Sequence, residues 1–160
     1  MSADSVLARL QAAGHPLPAP PQPRGLYAPA CRMPLGAGHA WVHVAGQTCR
    51  VEGVALAGLC RGDADLAPAA RAAEIAVLNA LAALHAAAGG LAQVRQIVRL
   101  RGYVRAVPDF GRHAAVLDGA SRVLALAFPD QPPPARTAVG VASLPDAAWI
   151  EIELEALAAV

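Results

Sequence analysis

The 160-residue chain contains no lysine, and all 13 of its basic side chains are arginine. Schiff-base formation and lysine general-base catalysis are therefore excluded. Aromatic residues make up only 4% and charged residues 16%, so burial has to come from closely packed Ala, Val and Leu rather than from large rings. A formal net charge of +1 offers no concentrated basic surface for phosphate backbones or anionic lipid. Neither nucleic acid nor a membrane is an expected partner. Three cysteines, Cys31, Cys49 and Cys60, cannot all pair within one chain, and their spacings match no CxxC metal signature. They read as reduced, buried thiols of a cytoplasmic protein. The chain does not open on a basic segment followed by an unbroken apolar run, so no signal peptide is expected. The longest apolar region, residues 72–88, is interrupted by Glu74, Asn79 and His85 and reads as a core helix rather than a membrane span.

What is present divides into an N-terminal extension, residues 1–25, and one domain, residues 26–160. Residues 4–13 place Val6, Leu7 and Leu10 on one side of a short helix that Gly14 ends. Five prolines between His15 and Gly25 make a stiff, extended connector. This helix is expected to pack on the outside of the domain or on a neighbouring subunit. Strand signals follow at Leu26-Tyr27, at Cys31 to Met33, and in the alternation of Ala40, Val42 and Val44 against Trp41, His43 and Ala45. A Gly- and Asp-rich loop, 53–65, leads into a long helix, Leu66 to Ala88, stopped by Gly89-Gly90. Val94 to Val107 reads as a strand. Val94, Val98, Leu100 and Val104 fall on one face, and Arg95, Ile97, Arg99, Arg101, Tyr103 and Arg105 on the other. Pro108-Asp109 is expected to cap a second helix in which Leu117, Ala120, Leu124 and Ala127 repeat on one side. Two strands, Arg136 to Ala142 and Trp149 to Leu157, close the chain. This order predicts an α+β domain with two helices on one face of a mixed sheet. The arginine row on the other face predicts a covering subunit, because buried unpaired charge is costly.

Most constellations carry no chemistry. His39 and His43 on one strand would lie roughly 13 Å apart, too far to share a zinc ion. The glycine pairs match neither dinucleotide nor phosphate loops, and no nucleophile elbow or Cys/His pair is recognisable. The segment from Pro134 to Ala156 is more informative. Arg136, Ala138 and Gly140 share one side of a strand, and Glu151, Glu153 and Glu155 share one side of the next, taken here as its neighbour. An arginine fork above small residues suits a carboxylate, and an adjacent glutamate could hold a water beside it. An ordinary edge Arg–Glu pair gives the same pattern.

The same segment resembles the C-terminal signature of the RidA/YjgF family of reactive intermediate imine deaminases, P-A-R-[ST]-x-V-x-V-x-x-L-P followed by [IV]-E-[IV]-E. Gly25-x-Tyr27, Ala45-Gly46-Gln47 where the family often has S-G-Q, the L-N-A-L of Leu78 to Leu81 and the V-P-D-F of Val107 to Phe110 stand in the family's order. The likeness spans about residues 25–157, and the helical extension with its Pro-rich connector resembles a longer branch. It implies a chorismate-mutase-like (bacillus-type) α+β fold, a homotrimer with inter-subunit pockets, and no cofactor or metal. Arg136 would bind the carboxylate of a reactive enamine or imine acid. Glu151 would position the attacking water, releasing ammonia and a 2-keto acid. Tyr27, Ala45, Gly46, Asp118 and Ala138 would line the pocket, with Asp118 where an asparagine is common.

Ala45 and Ala138 replace polar residues of the family pattern, and Gly140 replaces a frequent glutamate. The loop 33–40 is longer than usual. These departures leave open a second reading, a trimeric binder of small carboxylates or keto acids without turnover. A third, an endoribonuclease or translation inhibitor, is disfavoured by the near-neutral charge and by the slightness of the Arg112-His113 pair.

Overall fold

A computed structural model describes residues 3–159. Helix α1, Ala3–Ala12, is followed by strands β1, Ala30–Gly36, and β2, His39–Thr48. A two-strand ribbon, β3 at Arg50–Val51 and β4 at Val54–Ala55, precedes helix α2, Leu66–Ala88. Then come β5, Val94–Arg105, α3, His113–Ala127, β6, Ala135–Val141, and β7, Ile150–Ala159. The main sheet has the order β1-β2-β7-β5-β6. All pairs are antiparallel except β5 and β6. The chain is thus α+β with a mixed sheet. Its helices α2 and α3 pack on one another, α2 against β2 and β7 and α3 against β5 and β6.

The sequence produces this layer by substituting closeness for bulk. Ala69, Ala72, Ala73, Ala76, Ala80 and Ala83 of α2 are buried, which lets the helix ride low on the sheet. α3 comes as near: a Cβ at Gly119 would collide with the backbone carbonyl of Ala70. Leu117 in turn lies over Gly102 of β5, where a side chain would have no room. Leu100, Ile150, Ile152 and Leu154 complete the fully buried layer beneath the helices. Residues long and apolar enough to cross a membrane, Asp63–Ala88, are therefore those of the core helix.

The extension belongs to the same core. Val6 and Leu10 are fully buried in it, and Arg9 Nη2 donates to the carbonyl of Ala127, the last residue of α3, at 2.8 Å. α1 thus sits against its own domain, one of the two sites expected for it.

Several expectations fail for identifiable reasons. Leu26-Tyr27 is a bend, not a strand. Residues 33–40 are no long loop but the two arms of a hairpin turned by Ala37 and Gly38, both at positive φ. Asp109 does not cap α3, which starts at His113 after Arg112. Cys31 is exposed on the edge strand β1, whereas Cys49 and Cys60 are buried. In β5, register shifts on both sides of Gln96-Ile97 move Ile97 into the core, 2% exposed, and leave Val98 only half-buried. Gln131 satisfies the disturbed backbone there, accepting from Ile97 N and donating to the Val94 carbonyl.

Candidate functional site

Residues of the C-terminal signature separate onto two faces. Arg136 pairs in register with Leu100, which faces the helices, whereas Glu151 pairs with Tyr103 on the opposite face. β5 also lies between their strands. The expectation that β6 and β7 are neighbours is wrong, because α3 carries the chain across to a parallel partner and β7 returns on the far side of β5. Arg136 and Glu151 of one chain therefore do not meet.

The first group centres on Glu151. A register shift in β2 between Val44 and Gln47 bulges Ala45-Gly46 out of the ladder. The Glu151 carboxylate lies directly on Gly46, so closely that a Cβ there would overlap it. The bulge is held from both sides. Ala45 N donates to the Pro29 carbonyl, Gln47 folds its amide onto the Ala45 carbonyl, and Asn79 of α2 donates to the carbonyls of Thr48 and Arg50. Glu151 is half-buried and takes no hydrogen bond from any described residue. Burial and, secondarily, the neighbouring Glu153 carboxylate push its pKa above the usual glutamate value. Tyr27 is exposed on the segment entering β1, with its hydroxyl near Arg24 N.

Part of the rest of this face is an internal ion network. Arg101 spans Glu153 and Glu155 at 3.3 and 2.8 Å. Tyr103 donates to Glu153, and burial with that carboxylate raises its pKa. Arg105 donates to the Gly58 carbonyl. Of the four arginines expected to need a second subunit, Arg101 is paired with acids within the chain, whereas Arg95 and Arg99 are exposed and form no ion pair with any described residue.

The second group centres on Arg136. Its Nη1 donates to Asp118 Oδ1 at 2.7 Å and to Ser121 Oγ at 2.9 Å. The three line a cavity of about 460 Å³ between α3 and the proline-rich turn before β6. Ala138, next on this side, packs against the core. Gly140 after it leaves room for the His113 ring, whose Nε2 would be 2.5 Å from a Cβ. Sequence reasoning missed Ser121 and Asn79. Ser121 lies three residues after Asp118, on the same helix face, which is the signal that could have found it.

Residues 19–160 match the family described as Endoribonuclease L-PSP. The chain belongs to this family, the RidA/YjgF family. Protein TCP17 of Trypanosoma cruzi is 30% identical to this chain over 150 residues, 92% of this chain and 91% of that protein. A protein of unknown function from Agrobacterium tumefaciens, Atu1372, superposes with TM-score 0.85 at 35% identity over 99% of this chain and 96% of its own. The YjgF gene product of E. coli gives TM-score 0.59 at 25% identity over 86% of this chain and 91% of its own. The L-PSP match begins after α1, while the Agrobacterium superposition runs over nearly the whole chain.

Proposed function

We propose that the chain hydrolyses reactive 2-imino and 2-enamino acids to 2-keto acids and ammonia, without a cofactor, in the cytoplasm. The observation that carries this reading is the Glu151 carboxylate, half-buried on Gly46, without a hydrogen-bond partner among the described residues, and with its pKa raised. Such a group is poised to take a proton from water. Arg136 supplies the guanidinium for the substrate carboxylate. Glu151 accepts a proton as the water oxygen bonds to the imine carbon. The C=N π pair moves to the nitrogen, which receives that proton from Glu151. Glu151 then takes the proton of the new hydroxyl and passes it to the nitrogen. The carbon–nitrogen bond breaks with its electron pair leaving on nitrogen as the carbonyl forms, and ammonia departs from the 2-keto acid. A 2-enamino acid enters by tautomerising to the imine.

Arg136 and Glu151 of one chain lie on opposite faces, so this chemistry needs Arg136 of one subunit beside Glu151 of another. A homotrimer with its pockets between subunits provides that arrangement. The exposed apolar side chains Met33 and Leu35 on β1 and Val139 on β6 support an assembled state. Among the described residues six arginines, at positions 24, 50, 71, 101, 112 and 136, are already paired with acids. That favours a small acid over a polyanion such as RNA. The direct test couples light scattering to ammonia release from 2-aminoacrylate generated in the assay by a dehydratase. A particle of three chains that accelerates ammonia and pyruvate formation is expected. A monomer, or a trimer without acceleration, removes the reading.

Gly46 supplies a second check. The atom a Cβ would meet is the end of the Glu151 side chain, which can swing away. Gly46→Ala should then cost about 1 kcal/mol or less in stability yet displace the carboxylate and lower turnover about tenfold or more. Melting curves and initial rates on the same preparation decide it.

A further inference from the structure

Arg136 does not present a free positive charge. Asp118 neutralises it through Nη1, and the side chains are 28% and 53% exposed, so neither is sealed from a ligand. A guanidinium has five N–H donors in a fixed fork. Among the described residues only Nη1 is engaged, so Nη2 and Nε remain. Asp118 Oδ2 likewise accepts from no described residue, and both side chains line the 460 Å³ cavity. The Arg136–Asp118 pair therefore offers a donor fork and a carboxylate side by side with no net charge of its own, while the exposed Arg122 adds one further cation to the cavity lining.

A ligand bringing only a carboxylate meets attraction from Arg136 and repulsion from Asp118. One bringing a carboxylate and a cationic nitrogen on the next carbon satisfies both. Resting on the deaminase reading, we infer that Asp118 is a specificity residue that makes this a site for zwitterionic heads, an iminium or ammonium on Asp118 beside a carboxylate on Arg136. Ile97, Leu124 and Phe128 line the rest of the cavity, whose volume is that of a small-molecule pocket. They suit an apolar side chain of leucine size. The same pairing favours departure of product, because a 2-keto acid keeps the carboxylate but no longer has a cation for Asp118.

The probes are racemic leucine and 4-methyl-2-oxopentanoate, which share a carbon skeleton and differ in the amine. In titration calorimetry the parent protein is expected to bind leucine about tenfold more tightly than the keto acid. Asp118→Asn keeps the shape and removes the charge, and should invert that preference by tightening keto-acid binding. Asp118→Ser should shift the ratio the same way, which keeps the test standing if one variant folds poorly. An unchanged ratio in both variants, a parent that prefers the keto acid, or a parent that binds neither overturns the assignment. Ammonia release measured on the same preparations separates the two ideas. Leucine selectivity lost in both variants of a parent without turnover supports Asp118 and removes the deaminase reading. Turnover in a parent whose ratio ignores Asp118 does the reverse.

Discussion

Replacing Glu151 with Gln is expected to reduce imine hydrolysis by about 10²- to 10⁴-fold while raising the melting temperature at neutral pH. The two effects have one cause. Burial and Glu153 disfavour the charged form of Glu151 and raise its pKa in the folded protein, so the folded state binds this proton more tightly than the unfolded chain does. Below the ordinary glutamate pKa the carboxyl is protonated in both states and costs nothing. As pH rises from there through the raised folded value, stability falls, and above it the full cost persists. Glutamine fills the same space without charge and removes that cost, an exchange of stability for function. For the parent, the rate should fall on acidification with a midpoint above the usual glutamate value, because a proton-accepting Glu151 has to be ionised. Initial rates against pH, with melting curves for both proteins, check all three outcomes. A Gln variant that turns over normally in an intact assembly removes Glu151 from the mechanism.

Gly119→Ala should destabilise the fold by about 2 kcal/mol. In a helix interior alanine is favoured over glycine by about 1 kcal/mol, so propensity alone predicts stabilisation. The new methyl would meet the Ala70 carbonyl of α2, which cannot rotate away as a side-chain tip can. Forcing the two helices apart costs about 3 kcal/mol, and the collision wins. The melting temperature should drop by about 4–8 °C for a chain of this length. A thermal melt that rises instead would show that α2 and α3 have slack between them.

Elements whose signals are local could be read directly from the sequence. α2 runs from Leu66 to Ala88 as expected, because an alanine-rich stretch and a terminal Gly89 at positive φ are local facts. The faces around Leu100 and Leu117 were equally legible. The exchange of Ile97 for Val98 was not, since the bulges depend on β7 and on the distant Gln131. The side on which Arg136 stands was misjudged for a related reason: the order of strands is a property of the whole sheet. That Glu151 rests on Gly46 follows from pairing between strands more than 100 residues apart in sequence. A glycine within a strand pattern was the only hint of a bulge there.

The placement of β7 also constrains how the chain reaches this structure during synthesis. It is the last of the sheet's strands in sequence and lies at the sheet's centre, between β2 and β5. Until residues 150–159 emerge, β2 and β5 each have an unpaired edge, and the apolar faces of α2 and α3 lack Ile150, Ile152 and Leu154 beneath them. A nascent chain of 140 residues therefore has every helix but no closed core, and its open strand edges can recruit other nascent chains. Folding dominated by such long-range closure is slow. The vulnerable interval for this protein is the one before its final strand arrives, and a chaperone that shields the β2 and β5 edges would act there.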